Sequence, residues 1–487
     1  MTVDRAAMHR SCRRAAAADR ATDVTPPAGV AAPTTRPATP VRPGGPLPSL
    51  TGMRWWAALI VFVLHAVVFL PVYPFYGSEQ YWTIAEWVPM QTGATGVAFF
   101  FVLSGFILYW TRRSGDSPRS FIRRRIAKIY PTHLVAAALL FLIVPIPVGN
   151  LTTWLPTVAL IQTWWPNWTS LGGFNIPAWS LVSEMLFYLL FPVIVPLIDK
   201  IRDRFVPHAI AAVFAVIVVI HTAIYLWADG YTGTENFYGA RLPAVLPEVT
   251  AEYGYNASPE FLSQSFVGYP EQAYWFSYYF PAARLPEFVI GVLVARLVIS
   301  GKWRITSIWW PTAALAAAFG ATWLVPVNYK TSVLVVLPTA AVIATAAMRD
   351  LSGRRGVNAT RPMVWLGEVS YAFYLLQYVV MAAALKYVLA GHGFGLAGWL
   401  AVSAGCLLAT LVAAAAVYHG VDKPITRLTR RASGARGSPP SVRPTSDGPH
   451  PAPPSQDRGG EAVQQSEAIQ KSEKVQAIEA VQKEEVS

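Results

Sequence analysis

Long apolar runs, separated by short polar or basic stretches, fill the chain from about residue 48 to residue 431. A helix needs roughly 20 mostly apolar residues to cross the hydrocarbon core of a bilayer. Runs near that length lie at about 53–72, 93–110, 129–147, 180–198, 208–228, 284–300, 308–326, 332–348, 363–390 and 396–418. The pattern predicts an all-α polytopic membrane protein with about ten transmembrane helices. An eleventh apolar stretch, 151–162, is shorter, and Trp164, Trp165 and Trp168 follow it. A short run beside tryptophans suits a re-entrant or interfacial segment.

Charge placement supports the count, because Lys and Arg concentrate in cytoplasmic loops. Arg112, Arg113, Arg119, Arg123, Arg124, Arg125 and Lys128 share one loop region; later ones hold Lys200, Arg202 and Arg204, then Lys302 and Arg304, then Arg349, Arg354, Arg355 and Arg361, then Lys423, Arg427, Arg430 and Arg431. The intervening loops 73–92 and 148–179 carry no Lys or Arg, and the long loop 229–283 carries only Arg241. Treating 151–162 as a full span would put Lys200, Arg202 and Arg204 outside. Ten spans with both termini cytoplasmic is the consistent reading, and the expected location is the cell membrane, crossed many times.

Composition agrees: 54% of the 487 residues are hydrophobic and 14% charged, against about 25% charged in ordinary proteins. An ordinary soluble domain is excluded. Two tails flank the apolar region 48–431. Residues 1–47 form a Pro/Ala/Arg-rich leader expected to be disordered. No apolar h-region follows the early arginines, so the leader is not read as a cleavable signal peptide. Residues 432–487 carry a six-residue repeat at Glu461, Glu467, Glu473, Glu479 and Glu485; at about 100° per residue this period spreads apolar positions around a helix, so a disordered tail is expected. Cys12 and Cys406 are the only cysteines, which leaves no disulfide framework and no cysteine-based metal site.

Ionisable groups inside apolar runs are costly and are functional candidates. Arg54 and His65 lie eleven residues apart in the first run, which puts them on one helical face about 16 Å apart along the axis. The plainer alternative is a snorkelling Arg and a hydrogen-bonded core histidine. Ser180 and Glu184 are i and i+4 on the fourth run and face the same way. A buried carboxylate needs a cation or proton donor, and His65 is a candidate partner in type. The stretch Phe121–Pro131, with Arg123, Arg124, Arg125 and Lys128, either fixes orientation or docks an anionic ligand such as the phosphates of coenzyme A. Arg284 and Glu287 are i, i+3 and read as a pair; Tyr371, Tyr374 and Tyr378 line one face with Gln377 beside them; Asp422-Lys423-Pro424 reads as a helix stop.

Six segments in order carry a resemblance: Ser49-Leu50-Thr51-Gly52-Met53-Arg54-Trp55-Trp56-Ala57-Ala58 through His65; Gly96-Val97-Ala98-Phe99-Phe100-Phe101-Val102-Leu103-Ser104-Gly105-Phe106; the arginine stretch ending in Tyr130-Pro131; Trp179-Ser180-Leu181 with Glu184 and Phe187-Tyr188; Arg284-Leu285-Pro286-Glu287-Phe288 with Gly291; and Leu366-Gly367-Glu368-Val369-Ser370-Tyr371. Together they resemble the membrane-bound acyltransferase 3 family, bacterial O-acyltransferases of surface polysaccharides, peptidoglycan and macrolide-type antibiotics, over roughly residues 48–431. The resemblance implies an acyltransferase of groups other than aminoacyl groups. It implies an essential His65 supported by Arg54, a functional acid at Glu184, and coenzyme A handling near Arg124 and Arg125, with Arg123 and Lys128 in the same stretch. Trp179, Ser180, Tyr371 and Gln377 are the expected substrate-binding residues. Lys128, Gln377 and Asp422 stand where the family more often has Arg, His and Glu.

The expected chemistry has acyl-CoA entering from the cytosol as donor, with no permanently bound cofactor and no metal. His65, oriented by Glu184 or another carboxylate, takes the acceptor hydroxyl proton; an acyl-histidine intermediate is the open alternative. The acceptor is a carbohydrate hydroxyl, on an envelope glycan or on the sugar of a secondary metabolite, and the aromatic residues of loop 229–283 offer stacking faces. Expected partners are acyl-CoA, that hydroxyl-bearing glycan or glycosylated metabolite, and the lipid bilayer, with no nucleic acid. The rival class is a transporter or flippase of a small amphiphile, which would favour two related halves; no internal repeat is visible among the ten runs.

Overall fold

The computed structural model describes residues 43–434 except 71–74, 76–77, 114, 144–150, 166–174, 228–274 and 390–391. The chain divides into two units after Arg431, and the described residues belong almost wholly to the first. The six-residue repeat and most of loop 229–283, with Tyr231, Tyr238, Tyr253, Tyr255, Tyr269 and Tyr274, lie outside them.

Among the described residues all regular elements are helical. In chain order they are α1 (Pro48–Phe69), α2 (Glu79–Trp87), α3 (Met90–Trp110), α4 (Pro118–Ile143), α5 (Leu151–Val158), α6 (Trp179–Lys200), α7 (Val206–Trp227), α8 (Pro281–Ile299), α9 (Trp309–Ala321), α10 (Val327–Lys330), α11 (Val336–Leu351), α12 (Arg361–Ala384), α13 (Leu396–Val417) and α14 (Lys423–Gly434). Each of the ten predicted apolar runs contains a helix. Among the described residues seven helices are long and apolar enough to cross a membrane: α1, α3 with α2, α4, α6, α7, α12 and α13 with their continuations. The other three runs fall short for visible reasons. α8 carries Arg284, Glu287 and Arg296, while α9 has 13 residues and α11 has 16, and at 1.5 Å per residue such helices are shorter than a hydrocarbon core of about 30 Å. The eleventh stretch forms only the eight-residue α5.

Helices in lipid gain nothing from hydrophobic contact with each other, so close approach of backbones decides which ones pair. Glycines provide it twice over. A Cβ on Gly105 of α3 would sit 2.0 Å from the Phe288 carbonyl oxygen of α8, and one on Gly291 of α8 would sit 2.0 Å from the Val102 oxygen of α3. The same reciprocity joins α1 to the start of α12, where a Cβ on Gly52 would meet the Asn358 oxygen at 2.0 Å and one on Gly367 would meet the Thr51 oxygen at 1.7 Å. α3 also lies on α1, with Gly96 against the Ala57 oxygen. These helices form the buried centre. α7 and α13 lie outside it, with only 17% of their most apolar stretch buried, and Leu226, Leu408 and Val412 on them point outward.

Helix ends that the charge alternation assigns to one side are bonded to one another. The Ser49 backbone N–H and hydroxyl donate to the Asp350 carboxylate at 2.8 and 2.6 Å, which places an acid at the N-terminus of α1, where the helix dipole favours it. Trp110 Nε1 donates to the Gly45 oxygen at 2.9 Å. Asp199 accepts from Tyr109 Oη at 2.6 Å and from Arg112 at 2.7 and 2.8 Å. Arg296 reaches from α8 to the carbonyls of Ile198 and Ile201 and to Asp203. At the opposite end Phe75 N–H donates to the Phe394 oxygen and Lys386 Nζ to the Ile143 oxygen.

Candidate active site

A cavity opens among α1, α3, α4, α6 and α12. One wall is apolar, formed by Val97, Phe100, Phe101, Leu103, Ile107 and Leu108 of α3 and Leu181 of α6. The other is charged: Arg54, Arg125, Lys128 and Glu184, with Ser104, Tyr188, Ser180, Ser370, Tyr371 and Tyr374 among them. Three cations against one carboxylate leave the lining with a net positive charge of two.

Local structure explains which members of the basic stretch reach it. Residues three apart on a helix share a face, so Arg125 and Lys128 of α4 both line the cavity while Arg123 points outward and is exposed. Arg124 turns to Asp116, which it holds with two nitrogens, and donates to Ser120 Oγ at 2.7 Å. Its guanidinium is therefore committed to the chain. Arg125 keeps its Nε without a partner among the described residues and lies over the rings of Phe121 and Tyr188, 5.3 and 5.9 Å from their centroids.

Glu184 accepts hydrogen bonds from Tyr188 Oη at 2.8 Å and Ser104 Oγ at 3.3 Å, and it is the main electrostatic partner of Arg54. The expectation that Glu184 orients His65 is not met. The polar side chain beside the His65 ring is Gln377, and the ring packs on Phe69 with centroids 4.8 Å apart; its Nδ1 has no hydrogen-bond partner among the described residues. The reason is depth. Arg54 and His65 share a face of α1, but eleven residues separate them by about 16 Å along the axis, and α6 places Glu184 at the level of Arg54.

His65 is not part of the cavity lining. It lies past Tyr374 of the lining, since Gln377 is one turn beyond Tyr374 on α12 and donates to its backbone oxygen at 2.9 Å; the Tyr374 and Phe100 rings, both in the lining, meet with centroids 6.1 Å apart. Ser180 Oγ and Tyr374 Oη lie 2.9 Å apart and both point at the Pro177 oxygen. Tyr371 lines the cavity and donates to the Ile129 oxygen at 2.8 Å. Trp179 is buried outside the lining, against Tyr278 and Tyr279 at 4.7 and 4.9 Å.

Three polar groups, two in the cavity lining and Asp422 outside it, have bland surroundings in the sequence. Ser104 and Tyr188 sit in apolar runs, and the available signal was spacing: Tyr188 is i+4 from Glu184. Asp422 reads as a helix stop, yet its carboxylate accepts from Thr132 Oγ1 inside a π-helical turn, Tyr418–Asp422.

Comparison with known proteins identifies the family. The chain is 33% identical over 398 residues to acyltransferase MdmB of Streptomyces mycarofaciens, an alignment covering 79% of this chain and 93% of that relative. No solved structure matches the chain. Residues 47–418, which contain every cavity residue named above, match the acyltransferase 3 family, described as an acyltransferase domain. The protein is an acyltransferase and belongs to that family.

Proposed function

We propose that the protein is a multi-pass O-acyltransferase of the cell membrane that moves an acetyl or other short acyl group from acyl-CoA to a carbohydrate hydroxyl. The acceptor is an envelope glycan or the sugar of a secondary metabolite, and the chain crosses the membrane ten times with both termini in the cytosol. The observation that carries the reading is the cavity. It joins three cations to an apolar wall, which is the combination an acylated, phosphate-bearing donor requires.

In this reading the donor phosphates lie against Arg125 and Lys128, with Arg123 at the mouth, and the acyl chain lies along Phe100, Phe101 and Ile107. Arg54 with Glu184 holds the polar arm of the donor between its phosphates and its thioester, about 16 Å along α1 short of His65. At the Tyr374 end, His65 accepts the proton of the acceptor hydroxyl as its oxygen bonds to the thioester carbonyl carbon. The carbon–sulfur bond then breaks, and the thiolate of coenzyme A receives that proton from His65. Gln377 supports the ring in place of a carboxylate.

The test is mass spectrometry of glycans and secreted metabolites from cells with and without the gene, alongside purified protein given labelled acetyl-CoA. The expected result is a mass difference of one acyl group that disappears on deletion and in His65→Ala. Full activity in His65→Ala would sink the mechanism. Absence of both transfer and acyl-CoA hydrolysis in the purified protein would overturn acyl-CoA as the donor.

A further inference from the structure

Behind the cavity wall lies a second polar group of residues that the acyl-CoA reading does not use. Arg284 of α8 is 0% exposed and Glu287 is 1% exposed. Their side chains pair at 3.0 Å, yet Arg284 Nε and Nη1 have no hydrogen-bond partner among the described residues. The guanidinium lies 5.4 Å from the ring centroids of both Phe101 and Tyr278, and Phe101 is itself a cavity residue.

Two more buried polar groups lie on α7, which packs on α8, and on α10, which packs on α7. His221 of α7 is 2% exposed and feels the charge of Arg284, and Asn328 of α10, also 2% exposed, donates from Nδ2 to the His221 oxygen at 2.6 Å. His221 Nδ1 and Asn328 Oδ1 are likewise without partners among the described residues. A buried ion pair is normally completed by further hydrogen bonds, and buried polar atoms are normally satisfied. Here two donors, Arg284 Nε and Nη1, are open beside the Tyr278 ring, on which Trp179 packs, with the Glu287 carboxylate as the acceptor next to them.

We propose that the Arg284–Glu287 pair is the acceptor subsite, binding the hydroxyls of a sugar ring. A free anion would meet Glu287, and a free cation would meet Arg284. A neutral polyol offers donors and acceptors together and suits both, and a sugar also presents an apolar face to Tyr278 or Trp179. The inference rests on the carbohydrate reading given above. It adds that donor and acceptor are held by different residues, with Phe101 touching both sites.

The test uses the full chain purified in a phosphocholine-headed detergent, free of alkyl glycosides. Acetyl-CoA is the donor and a set of p-nitrophenyl glycosides are the acceptor probes. Thiol release and glycoside mass are both followed. The unaltered protein is expected to acetylate at least one glycoside. Glu287→Gln, which keeps the shape of the side chain, and Arg284→Lys, which keeps its charge, should each raise the glycoside KM by about tenfold or more. Both should leave the acetyl-CoA KM within about twofold.

An unchanged glycoside KM in both variants would overturn the assignment. So would a parallel loss of donor and acceptor saturation with a lowered thermal midpoint, since the pair would then only hold the fold. Thiol release without transfer to any glycoside would count against the carbohydrate reading itself. Absence of thiol release in the unaltered protein would fail the acyl-CoA reading before the subsite is reached.

Discussion

Neighbouring arginines in one basic stretch have separate fates because each step along a helix turns a side chain by about 100°. Arg124 is spent on Asp116 and Ser120, whereas Arg125 faces the cavity with an open Nε. Arg125→Ala is therefore expected to raise the acyl-CoA KM by about tenfold or more, the scale of one lost charge-assisted contact. Arg124→Ala should change it by less than about threefold. Steady-state kinetics at fixed ionic strength checks both. A reversed order would mean that the donor enters along another face of α4. At this scale the sequence was legible in residue type and in angle: Arg54, Glu184, Arg125 and Lys128 do line one cavity. Depth was not legible. The spacing of Arg54 and His65 fixes their common face, but only the packing of α6 against α3 decides which of them Glu184 meets.

Helix pairing follows from where backbones can touch. Gly105 and Gly291 each leave no room for a methyl group, because a Cβ would lie 2.0 Å from a carbonyl oxygen of the opposing helix. Gly291→Ala is expected to force α3 and α8 apart and to lower the thermal midpoint of the purified protein, with a cost of about 1–3 kcal/mol or more typical of overpacking. Gly320→Ala in α9 is the control. Nothing lies within 4 Å of its Cβ position, and alanine is the better helix former by about 1 kcal/mol, so the midpoint should hold or rise. Equal losses in the two variants would contradict the reciprocal packing. Run length alone foretold that each apolar segment is helical. It did not foretell that α9 and α11 stop after 13 and 16 residues, since the 3-10 turn at Thr322–Leu324 and the break before Val336 depend on local backbone geometry.

Over the whole molecule, bonds from Ser49 to Asp350 and from Arg112 to Asp199 gather at one end the helix termini that share positive loops. This grouping gives a topological prediction. In a chain whose Cys12 and Cys406 are replaced by Ser, Arg354→Cys should react with a membrane-impermeant maleimide only in inverted vesicles, and Glu79→Cys only in right-side-out ones. Both positions are exposed. Labelling of both from one side would refute the assigned sidedness. The contact between Phe100 and Tyr374 carries a different consequence for the cell. An open passage from the cavity past a histidine and across the bilayer would let protons and salts run down their gradients and drain the energy stored there. Two aromatic rings resist a hydrated ion, which would have to shed its water to pass, while an uncharged acyl chain meets no such barrier. An aromatic contact in the cavity lining would thus serve as electrical insulation.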